Sequence, residues 1–301
     1  MRVLIVGAGG VGGYIGAKLV KDTDCEVVMV ARGEHLEVSS DIGMEVMEDD
    51  FSWRVPPSHF TKSPDGMGIF DLVLVTVKSV SLNESISMIF NNINDKSTII
   101  PIMNGVGNSE YIKKYYKECS VLDSCIYIIS NIEKAGVVRK RGELFKLCWG
   151  EEEFDIEKYR HIASLFDEAG FRHRPTSDIE TMQWRKFLYI SPMAAMTSSY
   201  GESMDTIYEK RRDELRRCME EVLSLAHAKG VRVGEGDVES AMKQASLVKR
   251  GSKTSMQLDF ERGAPTELES LVGYVVSESE KRALPVPVMA SLYEKLKRRE
   301  S

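Results

Sequence analysis

Position 186 holds a lysine in the middle of an apolar helical row. The segment Ser177-Asp-Ile-Glu180 has capping-box spacing and predicts a helix start. At helical period the inward stripe then reads Ile179, Met182, Lys186, Ile190, Met193. An unpaired ammonium is costly to bury, so it finds a partner or yields its proton more easily. Either outcome suits a proton donor. The alternative is a lysine that snorkels, its stem packed and its head in water.

A second chemistry-bearing pattern lies at the other end. The short β-branched run Met1–Val6 leads into Gly7-Ala8-Gly9-Gly10-Val11-Gly12-Gly13, and Tyr14–Val20 continues with helical character. This is G-x-G-x-x-G with a strand before it and a helix after it. Gly7 permits the tight turn, Gly9 lets the backbone approach a pyrophosphate, and Gly12 allows close helix–strand packing. The unpaired N–H groups of the first helical turn then face the phosphates. Glu26–Val30 supplies the second strand, which completes a strand–helix–strand unit for a dinucleotide. That strand ends in Ala31-Arg32, without the carboxylate that binds a ribose 2′-hydroxyl. A guanidinium pairs with a 2′-phosphate and stacks on adenine, so Arg32 favours NADP(H) over NAD(H). The alternative is a solvated surface arginine beside a turn glycine.

The elements that must position these groups fall into two blocks. The first half alternates strands and helices: a hairpin at Gly43–Met47 and Phe51–Val55, and buried strands at Phe70–Val77 and Ser97–Met103. Further strands follow at Val121–Ile129, Gly136–Arg139 and Leu144–Trp149, then a helix over Asp155–Ala169 and a return to the sheet at Phe171–Arg174. Beyond Ser177 the pattern is helical. Helices are predicted over Asp205–Lys229, over Asp237–Lys249 and ending near Gly263. Thr266-Glu-Leu-Glu269 forms a second capping box, and a last helix follows Pro285 and Pro287. The expected fold is α/β: a Rossmann-type doubly wound sheet over 1–175, followed by an all-helical substrate domain over 176–301, with the active site in the cleft between them. Lys78 follows a strand and is placed to meet a phosphate, a carboxylate or a nicotinamide ribose. Asn104 follows the next strand and precedes Gly105. A solvated lysine and a turn asparagine are the plainer alternatives.

Composition sets the limits. The 301 residues, 43% hydrophobic, suffice for two cores. A net charge of −6 argues against nucleic acid or an anionic membrane as partner. The five cysteines, Cys25, Cys119, Cys125, Cys148 and Cys218, match no zinc spacing and read as reduced thiols of a cytoplasmic protein. No metal site is expected. No apolar run is long enough to span a bilayer, and the N-terminus does not read as a signal peptide. A homodimer through the helical domain is compatible with the sequence.

Together, Gly7–Gly12, Arg32, Val75-Thr-Val-Lys78, Met103-Asn104-Gly-Val-Gly107, Trp184-Arg-Lys186, Thr254-Ser255-Met256 and Pro265-Thr-Glu267 resemble the ketopantoate reductases (2-dehydropantoate 2-reductases), in order and over essentially the whole chain. The resemblance implies NADPH-dependent reduction of a 2-keto acid to a 2-hydroxy acid, on the route to pantothenate and coenzyme A. It implies Lys186 as general acid and Glu267 as the carboxylate that orients cofactor and substrate. Ser255 would contact the substrate carboxylate, with Lys78 and Asn104 at the nicotinamide end and Asn104 also reaching the substrate. Locally, Glu267 is equally explained as a first-turn carboxylate favoured by the helix dipole.

One departure stands out. The family commonly has asparagines one and two turns after the lysine; here those positions are Ile190 and Ala194. A pocket without the two amides holds a hydroxylated substrate less well, unless Ser191, Thr197 or Ser198 compensates. Other readings of the chain are a reductase of a different 2-keto acid, an opine-type dehydrogenase, or a non-catalytic NADP(H) sensor. Retention of Lys186 and Glu267 argues against the sensor.

Overall fold

The computed structural model describes residues 1–300, and the chain divides into two compact units. The first comprises Met1–Val77, Ser81–Met103 and Gly107–Ile179. The second comprises Lys78–Val80, Asn104–Val106 and the chain from Glu180 onward.

In the first unit the order is β1 (Arg2–Val6), α1 (Gly10–Asp22), β2 (Glu26–Val30), α2 (Gly33–Ile42), β3 (Met44–Glu48), β4 (Phe51–Val55), β5 (Phe60–Thr61) and β6 (Leu72–Val75). Then come α3 (Leu82–Met88), β7 (Thr98–Pro101), α4 (Asn108–Lys113), β8 (Ser120–Val121), β9 (Asp123–Lys134), β10 (Val137–Gly150), α5 (Arg160–Glu168) and β11 (His173–Pro175). Six strands form a parallel sheet in the order β5-β2-β1-β6-β7-β8. Its central strands are buried on both faces, as their continuous apolar runs require: β6 and β7 have every residue buried. Val6 pairs with both Val30 and Val75, so the carboxyl ends of β2, β1 and β6 lie level.

The remaining strands do not extend this sheet. β9 and β10 form a long antiparallel hairpin, β3 and β11 join β10 in parallel, and β4 pairs antiparallel with β3. The expected hairpin at 43–55 is therefore present, and the strand after α5 returns to this second sheet. Helix α1 is pressed between the two sheets. A Cβ on Gly16 would come within 2.4 Å of Met29 on β2, and one on Gly13 within 3.0 Å of Val138 on β10. Glycines beyond the phosphate-loop motif thus serve packing on both faces.

The second unit consists of α6 (Ile179–Tyr200), α7 (Met204–Lys210), α8 (Arg212–Ala228), α9 (Glu235–Ser246), α10 (Ser255–Arg262), a π-helical turn at Glu269–Gly273, α11 (Tyr274–Glu280) and α12 (Pro287–Glu300). Its core gathers Trp184, Phe187, Leu188 and Met193 of α6 with apolar residues of α8, α9 and α11. Three sequence expectations are corrected. The helix expected over Asp205–Lys229 breaks at Arg211, whose φ of −133° leaves the helical region. The helix expected from Asp155 starts only at Arg160. Thr266 and Glu269 do not close a capping box. The Thr266 hydroxyl accepts from Leu268 N at 3.1 Å, while the Glu269 carboxylate accepts from Tyr293 Oη at 3.0 Å and pairs with Lys297. Among the described residues no helix is long and apolar enough to cross a membrane, and no cluster of His, Cys, Asp or Glu could hold a metal ion.

Candidate active site

In the first unit, Gly7 takes φ +104°, and a Cβ there would meet Val77 Cγ1 at 2.7 Å. Only glycine fits that conformation and that space. The loop is tied down by Gly7 N and Ala8 N, which both donate to Val30 O at 3.1 and 2.7 Å, and by the Thr76 hydroxyl, which donates to Gly7 O at 2.8 Å. Gly12 is as constrained: its Cβ would sit 2.2 Å from Thr76 Oγ1 and 2.3 Å from Gly7 O. Gly9 differs. A Cβ there would meet only Gly7 O, at 4.0 Å, so its outer side is open. Gly9 is also the N-cap of α1 and brings no side chain to the first-turn N–H groups. An open, uncapped helix start fits a pyrophosphate. Gly10 and Val11 begin α1 here, and Ala8 is buried beneath the turn. Arg32 follows β2, is exposed, and donates from Nη1 to Glu84 Oε2 at 2.8 Å.

In the second unit the Lys186 ammonium donates to Asn104 Oδ1 at 3.0 Å, and Asn104 Nδ2 donates to Glu267 Oε2 at 3.2 Å. The three side chains form one hydrogen-bonded line. Each end is anchored by packing. Trp184 and Phe187 flank Lys186 in the helix, are buried, and meet edge to face with ring centroids 5.6 Å apart, while Tyr274 packs against both. Asn104 is presented by a reversal at Gly105, φ +90°, beyond which Val106 enters the helical core. Glu267 is 6% exposed. Burial pushes its pKa above the ordinary carboxylate range, and Asp259 adds to the rise, while the Asn104 hydrogen bond and the charges of Lys78 and Lys186 oppose it.

Lys78 belongs to the same cluster. Its Nζ pairs with Asp259 Oδ1 at 2.7 Å and donates to Pro265 O at 3.0 Å, and the neighbouring Ser79 hydroxyl donates to Ser270 Oγ at 2.8 Å. The structure therefore gathers Lys78, Asn104, Lys186 and Glu267 and adds Asp259, which sequence reasoning missed. Asp259 is 14% exposed at its side chain and lies on α10, four residues after Ser255. Ser255 itself is exposed at the start of α10 and makes no hydrogen bond to the Lys186–Asn104–Glu267 line. The i, i+4 spacing does place it on the face that carries Asp259.

The apolar row is also revised. Ile179 and Met193 are buried, whereas Met182, Lys186 and Ile190 are half-buried. Lys186 is thus a paired and partly shielded cation, neither sealed in the core nor snorkelling. Two of the hydroxyls after it are committed, those of Ser191 and Thr197. Ser191 Oγ donates to Leu271 O at 2.8 Å, and Thr197 Oγ1 donates to Met193 O and meets Thr254 Oγ1, both at 2.8 Å. Ser198 Oγ is buried without a partner.

The family described as "Ketopantoate reductase PanE/ApbA" matches residues 3–152, and its C-terminal counterpart matches residues 178–300. The chain is 25% identical to an uncharacterised oxidoreductase of Bacillus subtilis, over 100% of this chain and 99% of that protein. It is 29% identical to a 2-dehydropantoate 2-reductase of Mesorhizobium japonicum, over 91% and 90% of the two chains. Among solved structures it resembles a PanE/ApbA family ketopantoate reductase of Ralstonia eutropha, with a TM-score of 0.90, 24% identity, and coverage of 100% and 98%.

Proposed function

The chain belongs to the ketopantoate reductase family, and from that membership and the geometry at Lys186 we propose that it reduces 2-dehydropantoate to pantoate with NADPH. Membership of this family makes the protein an oxidoreductase of the type that reduces a 2-keto acid with a nicotinamide cofactor. The observation that carries the finer reading is the hydrogen-bonded line Lys186–Asn104–Glu267.

When bound, the cofactor supplies hydride to the carbonyl carbon. The residues that would hold it are Gly7 to Gly12 at the pyrophosphate and Arg32 at the 2′-phosphate. Negative charge then builds on the carbonyl oxygen, where a nearby ammonium stabilises it and delivers a proton. Lys186 is that ammonium. Asn104 accepts from it and so fixes where its remaining protons point. Glu267, at the far end of the line, gives Asn104 a defined orientation by taking its Nδ2–H. Lys78, charge-balanced by Asp259, is the second cation of the cluster, and Ser255 is assigned to the substrate carboxylate.

The committed hydroxyls of Ser191 and Thr197, with Ile190 and Ala194 on the helix after Lys186, favour a second reading: a 2-keto acid with a more apolar tail. Such a helix face offers a hydroxylated tail few partners. NADPH oxidation by purified protein, measured with 2-dehydropantoate beside 2-keto acids lacking its hydroxyl, tests both. Turnover of 2-dehydropantoate above the others supports the first reading, and the reverse order supports the second. If no keto acid is reduced while NADPH still binds, both are wrong.

A further inference from the structure

Arg32 already has an anion. Its Nη1 donates to Glu84 Oε2 at 2.8 Å. The two residues come from different crossovers of the parallel sheet: Arg32 follows β2, and Glu84 lies in the first turn of α3, after β6. β2 and β6 flank β1 in register, so both residues stand at the carboxyl edge of the sheet, one to each side of the strand that runs into Gly7. That edge is where open α/β sheets take ligands. Nothing lies within 4 Å of a Cβ built on Gly33, so the turn beside Arg32 has room. The start of a helix is also where a carboxylate is favoured.

We propose that Glu84 is the internal counter-ion that competes with a ribose 2′-phosphate for Arg32, so that this carboxylate sets how strongly the protein prefers NADP(H) to NAD(H). The inference rests on the reading of Arg32 given above. Glu84 takes only one of the five guanidinium N–H donors, so a phosphate can reach the others, but a carboxylate and a phosphate crowded onto one cation repel each other and share its charge. A 2′-phosphate therefore pairs with Arg32 at full strength only when Arg32 gives up Glu84. A 2′-hydroxyl displaces nothing, because it can donate to a Glu84 oxygen with the ion pair intact. Glu84 thus weakens the phosphorylated dinucleotide and leaves the other one alone. The side chains are 43% and 66% exposed, so the effect is modest.

Calorimetric titration of the unloaded protein with NADP⁺, NAD⁺ and adenosine 2′,5′-bisphosphate tests this directly, using wild type, Glu84→Gln, Arg32→Ala and the double variant. For a solvent-exposed ion pair, E84Q is expected to tighten NADP⁺ and the bisphosphate by about two- to fivefold while moving NAD⁺ by less than about twofold. R32A should abolish the preference for NADP⁺, and E84Q should then have no further effect. Unchanged NADP⁺ affinity in E84Q, or a gain that persists without Arg32, overturns the inference. Wild type that binds NADP⁺ no tighter than NAD⁺, with neither altered by R32A, overturns the reading of Arg32 itself.

Discussion

Asn104 and Glu267 lie 163 positions apart in the chain, yet Nδ2 of the one donates to Oε2 of the other at 3.2 Å. The same asparagine accepts from Lys186 on its other end, at 3.0 Å. An amide can join an ammonium to a carboxylate in this way because it is acceptor at one atom and donor at the other. Asn104→Ala should therefore release Lys186 from its fixed direction and leave Glu267 short of a donor. Turnover is expected to fall about 100-fold, the lower range for loss of a positioned proton donor. The buried carboxylate should also cost about 1–3 kcal/mol of stability. Steady-state kinetics and a thermal melt on the same preparation read both. Turnover within about threefold of wild type would show that the asparagine is not what aims the lysine.

Lys186→Arg separates charge from proton delivery. Guanidinium keeps the positive charge, but its pKa above about 12 makes it a poor acid near neutrality. If Lys186 acts only as an electrostatic anchor, K186R should retain most turnover and K186A should lose it. If it delivers the proton, both should fall, by about 10²–10⁴-fold. Dinucleotide affinity should be unchanged in both, and a Kd measured beside kcat checks that the loss is in the chemistry.

Gly9 and Gly12 look alike in the motif and should behave differently as alanines. The methyl of G12A would lie 2.2 Å from Thr76 Oγ1 and 2.3 Å from Gly7 O, and the Gly7 carbonyl is backbone that cannot step aside. G12A should lose about 1–3 kcal/mol or more through overpacking. The methyl of G9A meets only Gly7 O at 4.0 Å, and the residue sits at φ −79°, where alanine is comfortable. G9A should fold with an unchanged melting temperature yet bind dinucleotide weakly, since the methyl fills the opening a pyrophosphate would use. Normal binding by a well-folded G9A would remove the phosphate from this loop.

Local chemistry was readable from the chain, and pairing choices were not. The glycine loop, β1, β2 and the sheet's buried strands announce themselves within a few residues, because turn conformation and apolar runs are local. The hairpin β9–β10 reads as strand just as clearly. No residue in it says that it builds a second sheet with β3, β4 and β11, since that depends on partners far away in sequence. The stripe through Lys186 located α6 but misjudged its burial. Trp184, Phe187, Leu188 and Tyr189 are all buried together, so the helix is packed on several sides and a single inward face is the wrong frame. Asp259 was missed because Met256-Gln-Leu-Asp-Phe-Glu-Arg262 reads as an ordinary charged helix. Its only signal was the four-residue spacing from Ser255. The break at Arg211 has neither proline nor glycine to mark it.

Glu267 makes the stability of the helical unit depend on pH in a stated direction. Its pKa in the folded protein is raised, chiefly by burial and further by Asp259. Between the ordinary carboxylate value of about 4.3 and the raised folded value, the native state holds a proton that the unfolded chain has lost. Stability must therefore fall as pH rises through that interval, and the cost is fully present above it. Glu267→Gln removes the titration and keeps an amide oxygen to accept from Asn104 Nδ2. Measured against wild type, E267Q should gain relative stability as pH is raised from about 4 toward neutrality and then level off. Hydrogen exchange of the α6 amides at a series of pH values follows this locally. A difference that is flat across the series would mean that Lys78, Lys186 and Asn104 together cancel the desolvation of this carboxylate. The buried end of the line would then carry an ordinary charge.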